Sequence, residues 1–166
     1  DVPADGKTLG EIVLRGNNVM LEYFRDRRAT REAFRGGWFH TGDLGVMHPD
    51  RYIELKDRAK DIIISGGENI STVEVEQAVV SHDAVLEVAV IGVPSERWGE
   101  RPIAYVVLRK GHDVGDAELR IHTRGLVAAF KVPDEFLFVA ELPHTATGKV
   151  QKFDLRHRPT QAVIPA

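Results

Sequence analysis

The sequence predicts an α+β fold in which a small sheet is flanked by helices. Two apolar runs, LEVAVIGVP (residues 86–94) and RPIAYVVLRK (101–110), are rich in β-branched residues and have the composition of strands. The segment STVEVEQAVVSH (71–82) combines a polar N-terminal cap with apolar positions, which is typical of a helix. Because strands and helices follow one another from residue 61 onward, we expect a module of about 100 residues with a β-hairpin and a three-stranded sheet.

The residues before position 61 predict mainly β structure. A short strand is expected at residues 11–15 and a helix over TREAFRG (30–36). The segments DLGVMHP (43–49) and RYIELK (51–56) alternate in polarity around the turn PDR. This pattern predicts a β-hairpin that the glycine-rich stretch GWFHTGDLG leads into.

The helix after position 70 has a clear start signal. Either Ser71 or Thr72 is expected to cap it, and Glu74 is placed to complete a capping box. The apolar stripe of this helix is expected to include Val73, Ala78 and Val79.

Further strands and helices are predicted along the rest of the chain. DIIIS (61–65) is expected to be a strand and GGEN (66–69) a turn. A second helix is expected over residues 116–130, ending before Pro133 because a residue before proline avoids helical dihedrals. EFLFVAELP (135–143) predicts a third strand, and VQKFDLRHR (150–158) a short last helix.

Composition excludes several classes of function. Twenty-five acidic and 22 basic residues give a net charge of −3, and no basic stripe stands out, so nucleic acid is not an expected partner. The chain has no cysteine, which excludes a disulfide framework and a thiolate metal site and is compatible with the cytoplasm, where we expect the protein. No apolar run approaches the roughly 18 residues of a membrane-spanning helix.

Four segments carry more glycine and charge than their local structure needs. They are HTGD (40–43), DRAKD (57–61), SGGEN (65–69) and LPHTATGKVQK (142–152). Taken singly, each has an ordinary interpretation: an Asp turn, a solvated charge run, a tight hairpin turn and a loop with an exposed lysine.

In this order and spacing, the four segments resemble the adenylate-forming acyl-CoA ligase superfamily. The resemblance extends over residues 10–158 and includes the FKVP segment near residue 131. It implies an acid–thiol ligase that forms acyl-AMP from a carboxylate and ATP and then acyl-CoA, with Mg²⁺ carried by the ATP. Within the superfamily, KDIIISGGENIS and LPHTATGKVQKF look closest to fatty or medium-chain acyl-CoA ligases.

The resemblance also implies a division of the chain. Residues 1–57 would be the β-rich tail of a large N-terminal adenylating domain, which is absent from this chain. Residues 58–60 would be a hinge, and residues 61–166 a mobile C-terminal domain. The segment alone is therefore expected to be inactive. Its partners would be the missing domain and three small molecules: the carboxylate, ATP and CoA.

Five residues match functional positions of the superfamily. The resemblance implies that Asp43 and Arg58 bind the ribose of ATP and that Lys60 is the hinge. It also implies that Gly67 lines the CoA channel and that Lys149 is the catalytic lysine of the adenylation step. Trp38, Phe39 and His40 are expected to pack around the Asp43 loop. No residue is assigned to a metal.

Two points stay open at this level. Glu22 stands where the superfamily usually has a glycine, so the local backbone conformation is left open, whereas no catalytic role is affected. The alternative function is a non-catalytic nucleotide-binding or interaction module derived from the same superfamily.

Overall fold

The computed structural model describes residues 1–157. The chain divides into two units, Asp1–Lys60 and Asp61–Ala166. The end of the last predicted helix, at residue 158, lies outside the described residues.

The first unit is built on an antiparallel three-stranded sheet with strand order β1-β2-β3. The predicted hairpin is confirmed, although β2 begins four residues earlier than expected. Its elements are β1 (Gly10–Leu14), α1 (Arg27–Ala33), β2 (Phe39–Met47) and β3 (Ile53–Arg58).

Helix α1 begins three residues before the predicted start. The Asp26 side chain accepts a hydrogen bond from the Ala29 amide at 2.9 Å and so caps the helix. Arg35–Gly37 forms a separate 3₁₀ turn, which ends the helical segment earlier than expected. At the site of the unusual Glu22, the backbone does not adopt the positive φ that would require glycine.

The second unit contains a five-stranded sheet centred on one strand. Its strands are β4 (Ile63–Ser65), β5 (Glu68–Ile70), β6 (Val85–Ser95), β7 (Gly99–Leu108) and β8 (Glu135–Phe138). β6 pairs along one edge of β7, and β4 and β8 share the other edge. β8 is parallel to β7 because a helical crossover connects them.

The α+β class and the strand–helix order of this unit are confirmed, with one added strand. The turn predicted over residues 66–69 is only two residues long, and Glu68 and Asn69 belong to β5. The predicted hairpin and three-stranded sheet therefore join as one sheet, through the pairing of Ser65 with Gly99.

Over residues 61–157 the unit has three α-helices: α2 (Thr72–Val80), α3 (Asp116–Arg124) and α4 (Lys152–His157). Ser71 is the cap of α2, since its hydroxyl accepts from the Glu74 amide at 3.2 Å. The Glu74 carboxylate accepts from Lys131 Nζ at 2.7 and 2.8 Å. Helix α3 ends at Gly125 rather than near residue 130, and a 3₁₀ turn, Ala129–Lys131, follows.

The buried face of α2 differs from the predicted stripe by one position. Val73 is 36% exposed, so its assignment to the core was wrong, whereas Ala78 and Val79 are buried as expected. Thr72 and Val75 take the remaining core positions of this helix.

The core of the second unit lies on both faces of its sheet. Along β6 and β7, alternate residues belong to two separate apolar clusters, as the period of a strand requires. Helices α2 and α3 cover the first cluster, through residues such as Val79 and Leu119. Leu155 of α4 enters the second cluster, beside Ile91 and Tyr105. Leu155 is thus the apolar anchor of α4 on the sheet.

Replacing Leu155 by alanine tests this anchoring. Because Leu155 is 1% exposed, Leu155→Ala is expected to lower the free energy of unfolding by about 2–4 kcal/mol. Phe153→Ala is the matched control, since Phe153 lies on the same helix but is 67% exposed, and it should cost about 0.5 kcal/mol or less. Denaturant unfolding followed by circular dichroism measures both. Equal losses would contradict the anchoring role.

Candidate functional site

Asp43 lies where β2 bulges away from β1. Between the paired positions on either side, Thr41, Gly42 and Asp43 of β2 face only Ile12 of β1. A bulge of this kind removes residues from the ladder and redirects their side chains. On its other side, Asp43 is the direct partner of Arg58 in the β2–β3 register.

The bulge is held by side-chain hydrogen bonds, one of which reaches the β1 backbone. The Thr41 hydroxyl donates to the Ile12 carbonyl at 2.7 Å and accepts from the Asp43 amide at 3.0 Å. Gly42 has φ +73°, a left-handed conformation that suits glycine. Its carbonyl accepts from the Ala59 amide at 2.8 Å. The backbone that carries Asp43 is thus fixed on both sides.

The side chains of Asp43 and Arg58 form an exposed ion pair. Arg58 Nε lies 2.9 Å from Asp43 Oδ1, and Arg58 Nη2 donates to the Thr41 carbonyl at 3.3 Å. The two side chains are 40% and 55% exposed. Asp43 Oδ2 has no hydrogen-bond partner within residues 1–157. A carboxylate with one oxygen oriented by arginine and the other open can accept hydrogen bonds from a hydroxyl-rich ligand.

Glu11 supports the bulge from β1. Its Oε1 accepts from the Gly42 amide at 3.2 Å, and its Oε2 contacts His40 Nδ1 at 2.7 Å and Arg35 Nη2 at 2.8 Å. The hydrogen bond from His40 is the main cause that lowers the pKa of the Glu11 carboxyl below its ordinary value of 4.5. Burial opposes this effect, and the Gly42 amide and the charges of His40 and Arg35 add to it.

His40 has a polar contact that the sequence did not indicate. Its Nε2 also faces the Arg35 carbonyl, at 3.2 Å, so that both ring nitrogens face oxygen acceptors. Phe39 packs against the residue that follows α1, with its ring centroid 5.4 Å from that of Phe34. Trp38 lies under the guanidinium of Arg15, 4.8 Å from the ring centroid.

Lys60 is the last residue of the first unit, two positions after the end of β3. Lys60 therefore lies where the chain passes from one unit to the other, and its role as the hinge stays a prediction.

Gly67 occupies the two-residue turn between β4 and β5. Gly66 and Gly67 have φ values of +60° and +87°, as a type I′ hairpin turn requires. A Cβ added to Gly67 would meet no atom of residues 1–157 within 4 Å, whereas one added to Gly66 would lie 3.1 Å from the Trp98 ring. Gly67 therefore presents open space on the surface of its unit.

Lys149 lies on a loop that closes on itself. His144 and Val150 form an isolated β-bridge, and the Thr145 amide donates to the Lys149 carbonyl at 2.8 Å. The Lys149 amide donates in turn to the Thr145 hydroxyl at 3.1 Å. The side chain is exposed, and its ammonium has no hydrogen-bond or ion-pair partner in the described part of the chain. The result is a free cation on a fixed backbone.

The predicted residues form two separate sets. Asp43 and Arg58 come into direct contact in the first unit. Gly67 and Lys149 lie on different loops of the second unit. Over residues 1–157, no three His, Asp or Glu side chains converge as metal ligands would. None of the helices in the same stretch has the length and apolar character needed to cross a bilayer.

Comparison with known proteins gives this geometry a family context. Residues 74–149 match the model of the AMP-binding enzyme C-terminal domain. A peroxisomal acetate/butyrate–CoA ligase of Arabidopsis thaliana is 53% identical over 160 residues, 93% of this chain and 28% of that enzyme. The chain belongs to the adenylate-forming acyl-CoA ligase superfamily.

Solved structures of adenylate-forming enzymes have the same fold. ATP-bound MatB from Rhodopseudomonas palustris is 38% identical, with a TM-score of 0.84 over 92% of this chain and 30% of that one. The o-succinylbenzoate CoA synthetase of Bacillus subtilis, in complex with its acyl-adenylate intermediate, is 38% identical, with a TM-score of 0.85 over 93% and 32%. The chain spans between 27% and 31% of the length of the curated relatives it matches.

Sequence reasoning missed the residues that hold the motifs in place. Glu11 is separated from His40 by 29 positions, and no spacing pattern links them. Thr41, inside the predicted motif, was not assigned its two hydrogen bonds. The signal that was present is the pair of polar residues, His40 and Thr41, at positions where a plain strand would need none.

Substituting Glu11 tests the support of the Asp43 bulge. Glu11→Gln is expected to lower the free energy of unfolding by about 1–2 kcal/mol at pH 7, because a charged acceptor of several hydrogen bonds is lost. Since folding lowers the pKa of Glu11, the contribution of its carboxylate to the free energy of unfolding is complete above pH 4.5. This contribution disappears as the pH falls through the lower pKa of the folded state. The difference between wild type and Glu11→Gln should therefore shrink below pH 4.5.

Glu32→Gln is the control for this measurement. Glu32 is 67% exposed and, among the residues that the structure describes, pairs with Arg28 alone, on the same helix, so its replacement should change stability by about 0.5 kcal/mol or less. Unfolding in denaturant between pH 3 and 7 gives both differences. A Glu11→Gln difference that stays constant over this range would contradict the assignment.

Proposed function

We propose that this chain is part of an ATP-dependent carboxylate–CoA ligase that forms acyl-AMP and then acyl-CoA. The observation that carries the proposal is the Asp43–Arg58 pair on the rigid bulge, with one carboxylate oxygen open to a ligand. The family membership supports the adenylating chemistry. Because the chain spans less than a third of its relatives, the activity is proposed for the longer protein.

In the first half-reaction, Asp43 and Arg58 hold the ribose of ATP. An ionised carboxylate is suited to accept hydrogen bonds from both ribose hydroxyls. The substrate carboxylate attacks the α-phosphorus, a P–O bond forms, and pyrophosphate leaves. The Lys149 ammonium stabilises the negative charge that gathers on the phosphoryl oxygens. Mg²⁺ is expected to arrive with the ATP phosphates, and no residue of this chain is assigned as its ligand.

In the second half-reaction, the thiol of CoA attacks the acyl carbonyl carbon and AMP leaves. Gly67 is proposed to line the path of the pantetheine arm, where its lack of a side chain leaves room for the thiol. The open space around Gly67 supports this role. Lys149 and Gly67 serve different steps from different loops, so we infer that residues 61–166 act as a mobile domain that reorients about a hinge at residues 58–60, with Lys60 at its centre.

The acyl group is proposed to be a fatty or medium-chain acid. The basis is the likeness of the late motifs to such ligases, and the range of acids named for the relatives, from acetate and butyrate to o-succinylbenzoate, leaves other carboxylates as outcomes of the assay. A cytoplasmic location is retained as a proposal, to be tested by imaging the tagged full-length protein, since the Arabidopsis relative is named as peroxisomal.

A non-catalytic module derived from the same superfamily is the alternative. It would retain the open Asp43 oxygen and bind nucleotide, but Lys149 and Gly67 would have no kinetic role. ATP-dependent chemistry in the full-length protein separates the two functions.

Pyrophosphate exchange is the direct test. The full-length protein should exchange labelled pyrophosphate into ATP when a panel of carboxylates from acetate to palmitate is supplied, whereas residues 1–166 alone should stay at background. Exchange by the isolated chain would contradict the proposed division of the active site. An absence of exchange and of thioester formation with every acid would favour the non-catalytic alternative.

Separate assays of the two half-reactions test the residue roles. Lys149→Ala should slow acyl-AMP formation by about 100-fold or more and leave thioester formation from supplied acyl-AMP nearly intact, because the lost charge acts only in the first transition state. Gly67→Leu should do the reverse. Lys60→Pro should spare adenylation and slow the second step, because proline restricts the hinge dihedral.

Gly111→Leu is the control for Gly67→Leu. Gly111 has φ +80° and open surroundings, so leucine there introduces a similar backbone strain away from the proposed channel. It should leave both half-reactions unchanged. Equal losses in both half-reactions for Lys149→Ala and Gly67→Leu would contradict the two-face arrangement.

A further inference from the structure

The loop that carries Lys149 is attached to the rest of its unit by a largely buried ion pair. Lys152, three positions later, starts α4 and directs its ammonium into α2. Lys152 Nζ lies 2.8 Å from Glu76 Oε1 and donates to the Thr72 hydroxyl at 2.6 Å. The side chains of Lys152 and Glu76 are only 16% and 20% exposed, and Thr72 is fully buried.

Glu76 is itself fixed by the sheet. Its Oε1 also accepts from the Val90 amide of β6 at 2.8 Å. The carboxylate therefore joins three elements: its own helix α2, strand β6 and the start of α4. Because Thr72 and Glu76 lie one helical turn apart, their oxygens form a two-point receptor for the Lys152 ammonium.

The other end of the loop has its own attachments. His144 Nε2 lies 3.6 Å from Glu87 Oε2 on β6, and the Gln151 amide donates to the Pro143 carbonyl at 2.8 Å. Together with the bridge between His144 and Val150, these contacts close the base of the loop. The remaining freedom of Lys149 is limited to its side chain, provided that α4 keeps its place.

We propose that Lys152, through its ion pair with Glu76, is a positioning residue for Lys149 in the adenylation step. This inference rests on the proposed function of Lys149. Lys152 does not touch substrate. It fixes the backbone three residues away, so that the Lys149 ammonium reaches the developing charge in one orientation. A displacement of about 1 Å in such a group is enough to slow a reaction by about 100-fold.

A second ion pair on the same helix provides the control. Lys131 Nζ lies 2.7 Å from Glu74 Oε2, and Lys131 is 20% exposed, close to the value for Lys152. This pair joins α2 to the 3₁₀ turn after α3 and does not involve the residues of the Lys149 loop. Lys131→Met and Lys152→Met thus remove comparable ion pairs from α2, but only the second is attached to α4.

The experiment uses the full-length enzyme and five variants: Lys152→Met, Lys152→Arg, Glu76→Gln, Lys131→Met and Lys149→Ala. Lys152→Met should slow acyl-AMP formation by about 10- to 100-fold, with thioester formation from supplied acyl-AMP within about threefold of wild type. Glu76→Gln keeps an acceptor for the Val90 amide and weakens only the charge pairing with Lys152, so it should slow acyl-AMP formation less than Lys152→Met does. It also provides a folded variant of the same ion pair if Lys152→Met does not fold. Lys152→Arg should restore most of the rate.

Hydrogen exchange gives a readout independent of activity. The backbone amides of Thr145, Gly148 and Gln151 should exchange faster in Lys152→Met than in wild type. In Lys131→Met their exchange rates should equal those of wild type, although both variants lose thermal stability. Wild-type adenylation in folded Lys152→Met and Glu76→Gln would overturn the inference while Lys149→Ala still supports the proposed function.

Two further outcomes are decisive. If Lys152→Met and Lys131→Met slow both half-reactions alike, Lys152 acts only through stability and the inference is wrong. If Lys149→Ala itself adenylates at the wild-type rate, the proposed role of Lys149 is wrong, and the inference is overturned with it.

Discussion

The candidate ribose site depends on one constraint, the need to satisfy the backbone amides that leave the β1–β2 ladder at Thr41–Asp43. A buried or half-buried amide without a partner is costly, so a bulge of this size persists only where other groups replace the missing ladder. Glu11 supplies an acceptor for Gly42, and the Thr41 hydroxyl supplies one for Asp43. Because these side chains accept the hydrogen bonds that the ladder would otherwise accept, the Asp43 carboxylate can point away from β1 and contact Arg58.

The same design recurs at the Lys149 loop, with different residues. In both places the side chain proposed to meet a ligand is exposed, while its backbone is held by polar groups that are less exposed than it is. Glu11 and His40 are 23% and 18% exposed beside Asp43 at 40%, and Lys152 is 16% exposed beside an exposed Lys149. Because the backbone is already fixed, ligand binding has to order only the side chain, which is the physical basis of preorganisation here.

Much of this architecture was predictable from the sequence, for reasons that differ between the elements. The strands β6 and β7 and the helix α2 were predicted because burial on a sheet or a helix face leaves a periodic record in the residues themselves. Strand β5 was missed because two of its three residues, Glu68 and Asn69, are of types that strands disfavour. Helix α3 was extended too far because the proline rule marks where a helix must end, not where it does. Val73 was misplaced because a one-residue rotation of a helix stripe changes its exposure.

The candidate site divides along the same line. The motif residues, such as Asp43 and Lys149, were found because they sit in short segments whose glycine and charge exceed the needs of a turn. Their supports were missed because Glu11 and Glu76 act across 31 and 76 positions of sequence on Gly42 and Lys152, and a contact of that separation leaves no local pattern. Residues that are proposed to touch a ligand are constrained by its chemistry, which limits them to a few side-chain types in a recognisable local context. The residues that hold them are constrained only by geometry, which many side chains can satisfy, so their identity follows from the fold and becomes visible only in the structure.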